Sequence, residues 1–277
     1  GASTGIGRAT ALLLDRAGYS VIAGVRNKEA EESLLREASE RLIPVHLDIT
    51  VDQDIASAFE TVSRKIVGKK RFFALINNAG YTQAGPLELL PIQKIRKQVE
   101  VNLFGHIQMT LAFMPLLRES KGMIIHTGSP AGFFSMPFIG AYNISKHALT
   151  AMNDTLRREL NPWGIRVVMV IPGFIETPIW DKAYGEMEGL LESLPKNQET
   201  LYRDLITNGK RFMDIQGRAR SIAPEEVAKC MQRIIESSRP KPLYFAGLDG
   251  WISFLIGKFV PRKLVDFVTA RVLQGKF

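Results

Sequence analysis

The sequence predicts an α/β protein built on one doubly wound parallel sheet with helices on both faces. Three observations predict it. Short apolar runs alternate with helix-period segments along most of the 277 residues, as repeated strand–helix–strand units require. Runs such as Phe72-Phe73-Ala74-Leu75-Ile76 are apolar without a break, which suits strands covered on both faces. A glycine-rich turn, Gly1-Ala2-Ser3-Thr4-Gly5-Ile6-Gly7, opens directly into the first helix.

Residues 8–17 read as that helix, with Ala9, Leu12, Leu13 and Leu14 on its apolar side and Gly18 to end it. A short apolar strand is expected over 19–25, a polar helix over 28–40 and the next strand over 43–47. A helix over 55–66 leads to the strand 72–76, and a long helix over 92–117 to the strand 123–127. A helix over 145–160, a strand over 166–171, a helix over 224–237 and a short strand at 243–245 complete the alternation. Between them, 176–222 is helical but irregular. No repeat, low-complexity tract or Gly/Ser linker divides the chain, so one domain over 1–277 is expected. A strand normally feeds such a glycine turn. A first strand is therefore expected ahead of Gly1, and a targeting or anchoring segment before it is left open.

With 45% apolar residues the chain can bury a large core. Its net charge of +8 is spread rather than blocked, which argues against nucleic acid and fits a basic enzyme with a small phosphate-bearing partner. No run of about 18 apolar residues occurs, so no spanning helix lies within these residues. Cys230 is the single cysteine, which rules out an intrachain disulfide framework and fits a reducing, cytoplasmic setting. His46, His106, His126 and His147 lack metal-ligand spacing, and no metal is assigned.

The glycine turn carries its own chemistry. Glycines permit positive φ and let backbone amides approach a pyrophosphate at a helix N-terminus. The spacing is G-x-x-x-G-x-G rather than the commoner G-x-G-x-x-G, and a tight structural turn is the alternative. The following strand ends Ala23-Gly24-Val25-Arg26-Asn27. An acid there would take a ribose 2′-hydroxyl, whereas Arg26 suits a 2′-phosphate. The expected cofactor is NADP(H), ahead of NAD(H). Asp48 could accept from an adenine amino group, or cap the helix that follows it.

Tyr142 and Lys146 stand four residues apart in Ala141-Tyr142-Asn143-Ile144-Ser145-Lys146. On a helix they share a face. An ammonium held there is expected to favour the phenolate and lower the phenol from its usual pKa near ~10. Such a phenol can exchange a proton with a carbinol oxygen. No carboxylate pair competes, and Thr127-Gly128-Ser129-Pro130-Ala131 is not a nucleophile elbow.

The glycine turn, Asn77-Asn78-Ala79-Gly80, Asn102, Ser129, Tyr142 with Lys146, and Pro172-Gly173 with Thr177 occur in the order of the short-chain dehydrogenase/reductase family. Residues 1–177 resemble that family, and 41–50 and 99–178 resemble its hydroxysteroid and retinol dehydrogenase branch. The resemblance implies a single Rossmann-type sheet and a catalytic set of Asn102, Ser129, Tyr142 and Lys146. Tyr142 would be the acid/base, with Lys146 lowering its pKa and holding ribose hydroxyls. Ser129 would hydrogen-bond the substrate oxygen, and Asn102 would hold a water that relays protons from Lys146. For the cofactor it implies Gly1, Ser3, Thr4, Gly5, Ile6 and Gly7 at the phosphates, and Asn78, Ala79 and Gly80 beside the adenosine. Pro172 and Gly173 would lie against the nicotinamide, with the Ile175 amide and Thr177 hydroxyl at its carboxamide. Asn77 would brace the sheet centre. Gly128 and Thr4 depart from the family's habits. Thr4 stands where many NADP enzymes carry a basic residue, which leaves Arg26 as the support for NADP.

The substrate end is apolar. Phe133, Phe134, Met136 and Phe138 lie between Ser129 and Tyr142, and the connection 176–223, which begins with Ile179 and Trp180, exceeds an ordinary loop and suits a lid. A small hydrophobic alcohol or ketone of steroid, retinoid or lipid type is expected, with Ser129, Phe134, Tyr142 and Trp180 facing it. Plain core is the alternative for these side chains. Residues 251–277 are apolar and basic, the pattern of a helix lying on an anionic membrane; a flap over the site or a subunit contact are the alternatives. The helices near 102–117 and 145–160 are apolar on more than one side, and the resemblance implies a homodimer or homotetramer through them. A redox sensor that binds NADP(H) without turnover would share the fold but needs none of the four catalytic residues. An NAD-dependent dehydrogenase of a smaller alcohol, or a sugar-nucleotide epimerase, are the remaining readings.

Overall fold

Parallel strand pairing organises the chain and brings the ends of three strands to one place. The computed structural model describes residues 1–66, 71–177, 179–216 and 221–276, with the side chains of Trp180, Met213 and Gln216 outside that description. Helix α1 (Gly5–Arg16) is followed by β1 (Val21–Val25), α2 (Lys28–Leu35), β2 (Leu42–His46), α3 (Asp52–Lys65) and β3 (Ala74–Asn77). Then come α4 (Ile92–Val99), α5 (Gly105–Ser120), β4 (Met123–Thr127), α6 (Gly140–Leu160) and β5 (Arg166–Pro172). The chain continues through α7 (Ile179–Glu192), α8 (Lys196–Gln216), α9 (Pro224–Glu236), β6 (Leu243–Ala246), α10 (Leu248–Phe259) and α11 (Arg262–Leu273).

All the strand pairs are parallel. β1 pairs with β2, and β3, β4, β5 and β6 form a four-stranded sheet in that order. The expected sheet is thus in two pieces. They flank a cavity of about 490 Å³ lined by Val21, Ile22 and Ala23 on one side and Leu75, Ile76 and Asn77 on the other. The cavity walls include none of Ser129, Tyr142 and Lys146, so it is no substrate pocket.

Side-chain alternation along β4 and β5 builds the layers. Ile124 and Val167 turn to one face, against Ile55 and Val62 of α3 and Met109, Phe113 and Leu117 of α5. Met123, Ile125, Val168 and Val170 turn to the other, against Leu14 of α1 and Val227, Met231 and Ile234 of α9. Met169 and Ile171 pack under Leu149 of α6. Every residue of β4 is buried. Burying each such Ile, Leu or Met stabilises by about 1.5–3 kcal/mol, which is why α6 is held firmly against the sheet.

Several boundaries differ from the periodicity. The polar helix stops at Leu35 rather than 40, because the next turn is tied to α1: Asp15 accepts from the Ser39 amide and hydroxyl at 2.8 and 2.5 Å, and Arg41 reaches the Asp15 carbonyl. The long helix 92–117 is interrupted by a π-helical turn, Glu100–Phe104, that carries Asn102. Such turns concentrate at functional sites. Helix α6 begins at Gly140, five residues before the expected start, so Tyr142 lies on it. The irregular stretch 176–222 resolves into α7 and α8. The C-terminal segment is two helices, α10 and α11, parted at Pro261, which cannot supply the amide a continuous helix needs.

Candidate active site

The site lies where the carboxyl ends of β3, β4 and β5 meet the N-terminus of α1, the place where open parallel sheets take ligands. The glycine turn is compact. Ala2 and Gly1 both donate to the Gly24 carbonyl at 2.9 Å, and Asn78 Nδ2 donates to the Gly1 carbonyl at 3.0 Å. A Cβ on Gly7 would stand 1.9 Å from the Gly1 oxygen, so only glycine fits there. Gly5 takes φ +55°, and a Cβ on it would meet the Thr177 methyl at 2.9 Å. The turn and the 172–177 loop are therefore in contact. Ser3 is half-buried and Thr4 exposed; Ile6 packs into the core beside Leu14. Thr4 caps α1 without a side-chain hydrogen bond, and the first turn holds no acid. Its backbone donors and the positive end of its dipole are thus left for an anion.

Arg26 is exposed at the end of β1. Asp48 accepts from the Thr50 amide and hydroxyl at 2.9 and 2.7 Å. Burial raises its carboxyl, but the Thr50 hydrogen bonds and the nearby Arg26 and His46 charges leave it below the usual carboxylate range. Asp48 thus turns its carboxylate to its own turn and does not cap α3, whose N-cap is Val51 with no side-chain bond. Beyond β3, Asn78 Oδ1 accepts from the Thr127 hydroxyl at 3.0 Å, linking two strand ends. The Ala79 carbonyl accepts from His106 Nε2 at 2.7 Å, and Gly80 lies against the Asn102 amide. Buried Asn77 donates to Thr110 at 3.1 Å, joining the sheet centre to α5.

At the end of β4, Ser129 is 9% exposed, and its Oγ accepts from the Ala131 amide at 3.2 Å. Lys146, one helical turn beyond Tyr142, is buried and donates to the Thr127 carbonyl at 2.9 Å. Burial pushes its pKa down to about 8. Its ammonium lies over the Tyr142 ring, 5.7 Å from the centroid. The phenol is not lowered as the spacing suggested. Burial raises it, and a hydrogen bond with Ser129 acts against that rise. The ammonium is directed at the Thr127 carbonyl and the ring face. Asn102 is fully buried, and its amide is committed to the Tyr81 backbone and to Ser145 at 3.0–3.1 Å. This holds the π-helical turn against α6.

Pro172 and Ile175 are buried, and Gly173 and Thr177 half-buried. Gly173 donates to Ala246 at 2.8 Å, and Phe174 to Asp249 at 2.5 Å. Tyr142 joins one apolar cluster with Ala131, Ile139, Ala183, Met187, Leu191 and Ile206, which packs residues of α7 and α8 with it. Phe134 is half-buried beside this region, while the Trp180 side chain lies outside the described residues. Among the described residues no group of three His, Cys, Asp or Glu side chains could hold a metal.

Sequence reading missed a buried histidine pair. His126 donates from Nδ1 to Asn153 of α6 at 3.0 Å, and its ring stacks at 6.2 Å on that of His106. The available signal was a histidine inside an otherwise apolar strand. Burial, together with the Lys146 charge, lowers both rings, His126 to about 4 although the Asn153 bond opposes this.

The fold and this arrangement define a nucleotide-binding α/β fold with a phenol, an ammonium and a hydroxyl gathered beside an apolar cluster. The chain belongs to the short chain dehydrogenase family, whose model matches residues 1–188. It is 33% identical to estradiol 17-beta-dehydrogenase 2 of Mus musculus over 97% of this chain and 72% of that protein. It is 32% identical to human retinol dehydrogenase 16 over 97% and 85% respectively. Among solved structures, a short-chain dehydrogenase from Streptomyces avermitilis superimposes with a TM-score of 0.74 at 26% identity, covering 99% of this chain and 93% of that one. A Burkholderia cenocepacia short chain dehydrogenase in complex with NADP gives 0.71, also at 26%, covering 97% and 94%.

The buried histidines set an acid limit. His126 titrates near 6.5 when unfolded and at about 4 in the fold, so protons favour the unfolded state. Stability should be intact above pH 6.5 and fall as pH drops toward 4, His126 alone accounting for on the order of 3 kcal/mol. Urea midpoints across this range test it. His126→Asn should flatten the fall, and a profile parallel to the parent's would contradict the assignment.

Proposed function

We propose that the protein is an NADP(H)-dependent oxidoreductase that interconverts a hydrophobic alcohol and ketone, with Tyr142 as proton donor and acceptor. The observation that carries this reading is the convergence of Ser129 and Lys146 on a buried Tyr142 within an apolar cluster. The cofactor supplies the hydride equivalent. The uncapped, acid-free start of α1 suits its pyrophosphate, and Arg26, exposed at the end of β1, suits a 2′-phosphate.

The chain's own residues handle the proton. Burial keeps the Tyr142 phenol protonated at neutral pH, so in carbonyl reduction it can give its proton to the developing alkoxide. The Ser129 hydroxyl steadies the same oxygen. Lys146, at about 8, is charged at neutral pH and would hold the ribose side of the cofactor. Oxidation of an alcohol needs the phenolate and is favoured as pH rises. The substrate reading rests on the apolar cluster around Tyr142 and on the similarity to enzymes named for estradiol and retinol. Phe104 at the start of α5, Leu111 on it and Ile144 of α6 are exposed, which supports self-association through these helices.

The C-terminal helices support a peripheral lipid contact. Leu248, Trp251, Ile252 and Phe259 recur at helical spacing on α10 and are exposed, as are Leu264, Phe267 and Val268 on α11. Lys258, Arg262, Lys263 and Arg271 lie among them, the charge an anionic surface attracts. Among the described residues no helix is long and apolar enough to cross a membrane.

Tyr142→Phe should reduce turnover of a hydrophobic ketone by at least about 100-fold while leaving cofactor affinity close to the parent's. Retained turnover refutes the acid/base role. The parent should show higher kcat/KM with NADPH than with NADH, and Arg26→Asp should reverse the order; a parent without that preference overturns the cofactor assignment. In co-sedimentation, vesicles containing phosphatidylserine should bind the parent more than Phe259→Ser/Phe267→Ser. Equal binding would remove the lipid contact.

A further inference from the structure

One carboxylate stands where the C-terminal helices meet the cofactor end of the site. Resting on the dehydrogenase reading above, we infer that Asp249 is a positioning residue that fixes the nicotinamide-side loop 172–177. It would act through the backbone of Gly173 and Phe174 and would not touch the reacting atoms.

Hydrogen bonds hold the start of that loop. The Gly173 amide donates to the Ala246 carbonyl at 2.8 Å, and the Phe174 carbonyl accepts from Ile222 at 3.0 Å. The Phe174 amide donates to a side chain, Asp249 Oδ2, at 2.5 Å. A charged acceptor makes it stronger than its neutral neighbours.

The surroundings are shaped around this carboxylate. A Cβ on Gly173 would stand 2.0–2.3 Å from the Asp249 carboxyl atoms, so the carboxylate occupies the space a side chain would take. Gly247 adopts φ +104°, and a Cβ there would lie 2.6 Å from Asp249 Oδ1. Gly250 lets the first turn of α10 approach the end of β5, where a Cβ would come within 3.2 Å of the Ile171 carbonyl. A larger residue at Gly173 would push the carboxylate off the loop, and the positive φ of Gly247 itself favours glycine.

Helix capping does not account for the residue. The N-cap of α10 is Gly247, with no side-chain cap, and Asp249 Oδ2 accepts from Phe174, outside its own helix. The carboxylate therefore serves the loop. Small displacements of groups that orient reactants carry large costs in rate and affinity. The same contact connects the exposed helices α10 and α11 to the cofactor end.

The test uses the full protein and compares the parent with Asp249→Ala, Asp249→Asn, Gly173→Ala and the Asp249→Ala/Gly173→Ala double variant. Affinity for NADPH and NADH is read from the fluorescence of the reduced nicotinamide, and the melting temperature is followed alongside. Asp249→Ala should weaken cofactor binding about tenfold, and Asp249→Asn should restore most of it, because the amide oxygen accepts from Phe174 in the same volume. Gly173→Ala should also weaken binding, and less so once the carboxylate is gone. Parent-like affinity in Asp249→Ala, or an Asn variant as impaired as Ala, overturns the assignment. A parent that binds neither cofactor overturns the dehydrogenase reading instead.

Discussion

The buried ammonium of Lys146 is the constraint around which the site is arranged. A desolvated cation is costly unless it is hydrogen-bonded, and here it is directed at the Thr127 carbonyl, where β4 ends. That bond fixes α6 along the sheet, because Lys146 and Tyr142 ride on the same helix. It also fixes where Ser129 must lie, two residues beyond Thr127. A single interaction thus relates the three groups that the proposed proton transfer needs. Leu149, on the same helix and fully buried against Met169 and Ile171 of β5, supplies the apolar backing.

The polar groups around this centre are held without adding charge. Asn102 is spent on the Tyr81 backbone and Ser145, Asn78 on Gly1 and Thr127, and His126 on Asn153. His106 and His126 are kept neutral by burial and by the neighbouring Lys146. A second cation beside Lys146 would have no counterion, which is why acid is expected to loosen the fold from its centre. Residues of α7 and α8 pack with Tyr142 in one apolar cluster. The 172–177 loop closes the other side, tied to α10 through Asp249.

Much of this was legible in the sequence. The alternation of strands and helices gave the parallel architecture, since buried strands must be apolar and their order follows the chain. The glycine turn was readable because Gly7 and Gly5 meet steric limits that no other residue satisfies. Contacts between distant segments were not legible. Nothing in local periodicity says that Ser39 will bind Asp15 and end α2 early, or that Glu100–Phe104 will widen into a π turn. The direction of the Tyr142 shift was also hidden. The i, i+4 spacing places Lys146 near Tyr142, but burial decides which effect wins, and it depends on the assembled fold. Asp249 lies 75 residues from the amide it receives, too far for any motif to reveal.

The central claim is that Lys146 is a desolvated cation held inside the site. The most direct measurement is its own titration, followed by NMR of isotopically labelled lysine and assigned with a Lys146→Met variant. A pKa of about 8, well below the solvated value of 10.5, is the result this account predicts. A titration at 10.5, like that of a surface lysine, would mean that the ammonium faces water and would contradict the arrangement on which the proposed chemistry rests.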